Sequence, residues 1–233
     1  MTDLAANLTA VRERIAAAAA RSNRRTEDIT LVAVSKTRSV EEIAAAVESG
    51  VLDLGENYVQ ELVAKAEQLR GVTGAPVRWH FIGHLQRNKV KYLSGLCTLI
   101  HSLDSPRLAE EIARRAVPPA DPQPVLIQVD LAGEATKSGC PEDQVPALVE
   151  TVLGLPELDW QGLMTITPYA EDPESSRPYY RRLAALRDAL AARGVPARNL
   201  RHLSMGMSND YEVAIEEGAT LVRVGTAIFG PRQ

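Results

Sequence analysis

Eight short apolar segments alternating with helical ones constrain this chain more than any other feature of its sequence. The strand-like runs are Ile29–Ser35, Leu52–Glu56, Trp79–Gly83, Leu99–Leu103, Val125–Asp130, Gly162–Thr167, His202–Gly206 and Leu221–Gly225. Each is rich in aliphatic or β-branched residues. A block such as Leu31-Val32-Ala33-Val34 reads as a strand buried on both faces, as in a parallel sheet. Between the runs, Val59, Leu62, Val63, Ala66 and Leu69 follow helical spacing, and so do Leu183, Leu186 and Leu190. Eight such units are the count of a closed barrel. An open doubly wound sheet would use the same alternation but would carry a G-x-G-x-x-G turn after its first strand. Here Lys36-Thr37-Arg38 stands there instead. We therefore expect an α/β fold, a single (β/α)8 TIM barrel spanning 1–233 as one domain, with an extra N-terminal helix. The Pro-rich stretch Val117-Pro118-Pro119-Ala120-Asp121-Pro122 reads as a loop, since strand–helix alternation continues across it.

Composition narrows the function. The chain has 233 residues, 45% hydrophobic and 24% charged, enough for one large core. A net charge of −4 gives no electrostatic case for nucleic acid. Cys97 and Cys140 lie far apart and form no metal-binding spacing, which suggests a reducing compartment. The N-terminal stretch mixes charges into an amphipathic helix and does not resemble a signal peptide. No run approaches the ~20 apolar residues of a membrane span. A cytoplasmic protein is expected. His80 and His84 are four apart, but on a strand and its loop, which is poor metal-ligand geometry. His101 and His202 read as locally packed or hydrogen-bonded. Lys89, Lys91 and Lys137 read as solvated surface lysines, and Tyr179–Arg182 as a helix mixing apolar and solvated positions.

In a barrel of this kind the chemistry sits at the carboxyl ends of the strands. Lys36 exits the first strand. Partial desolvation there lowers an ammonium's pKa and makes the amine a nucleophile able to form a Schiff base. The alternative is a strand-end lysine that carries its head into water, and Lys36 alone does not decide. Barrel closure would bring it beside Gly225. Gly206, Ser208, Gly225 and Thr226, after the last two strands, have small side chains that let backbone N–H groups approach an anion, with hydroxyls to assist. Asn209, with Glu212 three residues on, looks like a helix start, which favours an anion nearby. The charges of Asp210 and Glu212 argue against a phosphate unless they point away. Arg223 lies two residues before Gly225. It faces either a ligand's ring nitrogen or a helix carboxylate on the outer side. An amine, a phosphate cradle and a buried Arg together suit pyridoxal 5′-phosphate. Arg keeps its proton, so the ring nitrogen would stay unprotonated and the cofactor would be a weak electron sink.

VAVSKT around Lys36, LGENYVQE at Leu54–Glu61, WHFIGHLQRNK at Trp79–Lys89, LMTI at Leu163–Ile166, LSMGMSND at Leu203–Asp210 and VRVGTAIFG at Val222–Gly230 together resemble the pyridoxal phosphate homeostasis proteins. The match spans nearly the whole chain. Asp130 after Val129 departs slightly from the family's usual Asn. The resemblance implies a fold-type III barrel similar to the N-terminal domain of alanine racemase, and a role in vitamin B6 and amino/keto acid homeostasis without established catalysis. By that resemblance Lys36 carries the cofactor as an internal aldimine, Asn57 lines the ring, Arg223 lies near the pyridine nitrogen, and Ser208, Gly225 and Thr226 take the phosphate. No residue is expected to be catalytic and no metal is expected. Alanine racemase has a second domain that supplies a tyrosine base and closes the site at a dimer interface. The sequence ends soon after Gly230, so we expect an open, wet site, little or no racemase turnover, and a monomer.

Three function classes remain open to the sequence. One is a cofactor-holding protein that serves apo B6-dependent enzymes, which we favour. The second is a true B6-dependent racemase or lyase. The third is a cofactor-free Schiff-base aldolase acting on a sugar phosphate.

Overall fold

The aliphatic runs form strands that close on themselves. The computed structural model of the chain describes residues 3–72, 74, 76–116, 121–133 and 138–231. Its strands are β1 (Thr30–Val34), β2 (Asp53–Glu56), β3 (Arg78–Phe81), β4 (Leu99–Leu103), β5 (Gln123–Asp130), β6 (Cys140–Pro141), β7 (Leu158–Met164), β8 (His202–Ser204) and β9 (Leu221–Val224). Eight of them make a parallel ring in the order β1-β2-β3-β4-β5-β7-β8-β9, and β9 pairs back to β1. The two-residue β6 lies beside β5, outside the ring. The expected barrel is the observed one. Positions 117–120 of the Pro-rich connector, and Lys137, fall outside the described residues.

Between the strands run α2 (Val40–Glu48), α3 (Val59–Leu69), α4 (Pro106–Arg115), α5 (Val145–Leu153), α6 (Arg177–Ala192), α7 (Tyr211–Glu216) and α8 (Thr226–Phe229), after an opening α1 (Leu4–Arg21). Their starts follow local chemistry. Ser39 and Glu42 form a reciprocal capping box on α2, and α4, α5 and α6 each carry Pro in the first turn. The last helix, α8, is a single turn and leaves much of its flank uncovered. The extra helix α1 supplies the cover. It buries Leu8, Val11, Ile15, Ala18 and Ala19 and packs on α7 and α8. Asn7 donates to the Ile228 carbonyl at 2.9 Å. Just beyond α1, Arg24 donates to the carbonyls of Ile215 at 2.9 Å and Ala219 at 2.6 Å.

The main core lies between ring and helices. A smaller cluster of Val32, Leu99, Leu126, Met164 and Leu221 fills the barrel interior. One strand differs from the reading of the sequence. β7 begins at Leu158, four residues before the expected Gly162, and stops at Met164. Its first half alternates buried Leu158 and Trp160 with half-exposed Asp159 and Gln161, so it lacks the continuous apolar run that marks its neighbours.

Gly162 has φ of 149°, and a Cβ there would stand 2.0 Å from the His202 carbonyl oxygen on the neighbouring β8. Gly162→Ala is expected to destabilise the fold by about 2–3 kcal/mol, measured by urea unfolding. A variant as stable as the parent would contradict this packing of β7 on β8.

Candidate functional site

A cavity of about 540 Å³ opens at the carboxyl ends of the strands. The six residues singled out in the sequence, Lys36, Asn57, Ser208, Arg223, Gly225 and Thr226, all line it. They come from four places in the chain. Closure of β1 on β9 brings Lys36 and Gly225 to the same rim. A Cβ on Gly225 would lie 3.3 Å from the Val34 carbonyl oxygen, so the two loops are in close contact.

Ser35 and Thr37, on either side of Lys36, are tied to buried charge. Lys65 on α3 donates from Nζ to the Ser35 carbonyl, to Glu56 Oε1 and to Glu61 Oε2, each at 2.8 Å. The Ser35 hydroxyl meets Glu56 Oε1 at 2.7 Å, and the Thr37 amide donates to Glu61 Oε2 at 2.9 Å. Thr37 has φ of 63°, an outlying conformation for a β-branched residue. It is held there by this clamp. Burial pushes the Glu56 carboxyl upward, against the opposing pull of Lys65 and Ser35, and its Oε2 is buried without a hydrogen-bond partner. For Glu61, burial acts upward too, but Lys65, the Thr37 amide and the charge of Lys36 outweigh it, and the carboxyl is lowered. The sequence pattern had one clue to Lys65: it falls on the apolar face of α3, three residues after Leu62 and four before Leu69.

The far wall carries donors. Gly225 N–H and Ala227 N–H both point at the Ser208 hydroxyl, at 3.1 and 3.4 Å. Gly206 is not part of this wall. Its φ of 92° and the closeness of Tyr211 and Ala214 serve the turn into α7. Asn209 does not cap that helix, because its amide donates to the Ala170 carbonyl at 2.9 Å. Asp210 holds the N-cap position, although its side chain does not bond the helix. The carboxylates that raised doubt about an anion are committed elsewhere. Asp210 accepts from the Met207 amide and the Ser176 hydroxyl, both at 2.7 Å, and Glu212 pairs with Arg14 and Arg21.

Arg223 points into the barrel, 4% exposed. Its Nη1 donates to the Ser204 hydroxyl at 2.6 Å and its Nη2 to the Thr165 carbonyl at 2.8 Å. None of the ion pairs among the described residues includes it. Burial lowers its pKa to about 10, so it stays a cation at neutral pH. In the same cavity lining, Asn57 Oδ1 is buried and has no hydrogen-bond partner. The loop Pro168-Tyr169-Ala170 completes the rim, with Tyr169 82% exposed.

His202 hydrogen-bonds locally as expected, meeting the Thr220 hydroxyl at 3.2 Å, whereas below the cavity His101 is part of a longer line. His101 spans the barrel, meeting His80 at 2.9 Å and Ser204 at 2.8 Å. His80 meets Asp53 at 3.0 Å, and Arg78 Nε donates to Asp53 at 2.8 Å. Burial would raise the Asp53 carboxyl, but the His80 and Arg78 hydrogen bonds overcome it and hold it at about 2. His84 lies apart, exposed and 3.6 Å from Asp104. Among the described residues no group of three or more His, Cys, Asp or Glu side chains could hold a metal ion. Lys89 and Lys91 sit over the Tyr92 ring.

The alanine racemase N-terminal domain family model matches residues 6–233. The pyridoxal phosphate homeostasis protein of Aquifex aeolicus is 49% identical over 226 residues, covering 97% of each chain. That of Escherichia coli strain K12 is 42% identical, covering all of this chain and 98% of its own. Among solved structures, PipY of Synechococcus elongatus with PLP bound superposes with a TM-score of 0.81 at 32% identity, over 94% of this chain and 100% of that one.

Two outcomes follow from the buried charges. Lys65→Met leaves two carboxylates around Ser35 without their cation, and is expected to cost about 3–5 kcal/mol in urea unfolding. A loss below about 1 kcal/mol would contradict the clamp. Asp53 has a folded pKa below its unfolded value, so its contribution is present above pH ~4 and fades as pH falls toward 2. Allowing for partial solvent contact, this amounts to roughly 1–2 kcal/mol. Asp53→Asn should flatten the stability profile in that acid window, read from unfolding at stepped pH, and an unchanged slope would contradict it.

Proposed function

The chain belongs to the alanine racemase N-terminal domain family and, within it, to the pyridoxal phosphate homeostasis proteins, and from that premise we propose that it holds pyridoxal 5′-phosphate covalently on Lys36. The observation that carries this reading is a buried guanidinium and an unpartnered buried amide oxygen lining one cavity with an amine and a serine hydroxyl on which two backbone N–H groups converge. Unmatched buried polar groups are costly. A ligand that meets them recovers that cost. We read 1–233 as one cofactor-binding domain.

Pyridoxal 5′-phosphate brings an aldehyde that condenses with an amine, a phosphate, and a ring that acts as an electron sink when its nitrogen is protonated. The protein's part is to bind and orient. Lys36 presents Nζ at the rim, with its backbone fixed through Ser35 and Thr37. Ser208 and Thr226 would offer hydroxyl hydrogens to an anion, with the Ser208 oxygen held by the Gly225 and Ala227 amides and Gly225 allowing close approach. Asn57, whose Oδ1 is buried without a partner, would line the ring and offer that oxygen as an acceptor. Arg223 would lie near the ring nitrogen as a donor and, because it does not release its proton, would leave that nitrogen unprotonated.

This chemistry favours a holder over a catalyst. Racemisation needs an acid or base on each face of a substrate carbon. Besides Lys36, the titratable side chains lining the cavity are Tyr169, Asp210 and Arg223. Asp210 is bonded to Ser176 and Met207, Arg223 is a permanent donor, and Tyr169 stands in solvent. We therefore assign a role in intracellular B6 and amino/keto acid homeostasis, with apo B6-dependent enzymes as recipients. Unpaired, buried Cys97 and Cys140 accord with a reducing cytoplasm. No helix among the described residues is long and apolar enough to cross a membrane. Exposed large apolar side chains are scattered over separate elements, in keeping with a monomer.

Absorption spectra of the wild type and Lys36→Ala, each given excess pyridoxal 5′-phosphate, test the reading. The wild type should turn yellow and lose the band on borohydride reduction, while Lys36→Ala should show only the spectrum of free cofactor. A colourless wild type, or an equal band in the variant, would overturn it. Robust Lys36-dependent racemisation in a chiral amino-acid assay would replace the holder with an enzyme.

A further inference from the structure

Two cavities sit at opposite ends of the barrel. Arg223 lines the one at the carboxyl ends of the strands. Asp53 and Arg78 line the other, which is formed largely by residues preceding β1 and β2. Between them runs an unbroken line of side chains through the barrel interior: Arg223, Ser204, His101, His80, Asp53. All five are at most 8% exposed. Leucine or valine would fill such positions without any desolvation cost, so the line calls for an account.

Its direction can be deduced. A guanidinium only donates, so the Ser204 oxygen accepts from Arg223. The Ser204 hydroxyl then has one hydrogen to place, and its remaining partner is His101 Nδ1 at 2.8 Å. His101 Nδ1 must therefore accept, which puts the ring hydrogen on Nε2. That hydrogen points at His80 Nδ1, which accepts in turn, and His80 Nε2–H donates to the Asp53 carboxylate. Every donor meets an acceptor, in one sense only, from a cation to an anion. Burial, reinforced by the neighbouring Arg223 guanidinium, lowers the His101 pKa well below the usual histidine value, which agrees with a neutral ring.

We propose that Ser204, His101, His80 and Asp53 are positioning residues that lock the orientation of the Arg223 guanidinium toward the cavity. A serine hydroxyl left alone rotates freely. Here its hydrogen is captured by a ring, that ring is fixed by a second ring, and the second ring is anchored to a carboxylate gripped by Arg78 on β3. With Nη1 and Nη2 each holding one fixed acceptor, the plane of the guanidinium is set and its other N–H groups are left for a ligand acceptor. The line is not a proton relay, because its cavity end is a group that does not release a proton. The ligand side of this inference rests on the cofactor reading above; the orientation of Arg223 does not.

The test compares the full-length wild type, His101→Phe and His101→Gln. A glutamine amide can accept from Ser204 and donate to His80, as the ring does, whereas phenylalanine can do neither. In nitrogen-15 NMR without cofactor, the wild type should show both His80 and His101 as Nε2–H tautomers and resolved Arg223 Nη protons. His101→Gln should keep the Arg223 signals, and His101→Phe should average them. With pyridoxal 5′-phosphate, His101→Phe should bind at least tenfold more weakly than the wild type and His101→Gln within about threefold. If His101→Phe does not fold, Ser204→Ala carries the same expectation. An Nδ1–H tautomer at either ring in the wild type would overturn the proposal. So would wild-type Arg223 signals in His101→Phe or, failing that variant, in Ser204→Ala. A wild type that takes up no cofactor would overturn the cofactor reading, and the tautomer and Arg223 signals would then decide this one.

Discussion

The parallel pairing of β1 with β9 is the constraint on which the site depends. Residues from the two ends of the chain meet there: Val32 lies in register with Arg223, and Ala33 with Val224. The amine that follows β1 and the small residues that follow β9 reach one rim only because the ring is closed. The closure is itself supported from outside. The helix α8 is one turn long, and α1 packs where a longer helix would otherwise sit, with Arg24 binding carbonyls on both sides of the turn after α7. An ordinary piece of hydrophobic burial at the N-terminus thus holds the part of the barrel where the chemistry gathers.

Buried charge is placed in three ways, and each has a different consequence. Around Ser35, Lys65 is shared between two carboxylates, which fixes backbone on both sides of Lys36 and holds Thr37 in a conformation that it would not choose alone. At the base of the barrel, Asp53 is matched by Arg78 and His80 and is held ionised. At the cavity, Arg223 has neutral acceptors and no carboxylate. In the first two arrangements each carboxylate has a cationic partner, although Glu56 Oε2 itself is left without a hydrogen bond. The third places a buried cation at the cavity with only neutral oxygen partners, Ser204 and Thr165.

Much of this was legible in the sequence, because it rests on local pattern. Continuous aliphatic runs gave seven of the ring strands within a few residues of their observed positions, and the residues following those strands gave the cavity lining. β7 was misplaced because its first half is amphipathic. Of the polar interior only Arg223 was legible, from its place two residues before Gly225. His80 and His101 are far apart in the chain, and Ser204 is farther still, so nothing in spacing or periodicity announces that three strands will aim them at one another. Lys65 was half legible: a lysine on an apolar helical stripe asks for a buried partner, but only the fold shows that Glu56 and the Ser35 carbonyl supply it.

The central claim, that Lys36 is the amine that carries the cofactor, is tested most directly by peptide mapping. The protein would be loaded with pyridoxal 5′-phosphate, reduced with borohydride, digested and analysed by mass spectrometry. The account predicts the added mass on one peptide, at Lys36. Label spread over surface lysines such as Lys89 and Lys91, with Lys36 unmodified, would contradict it.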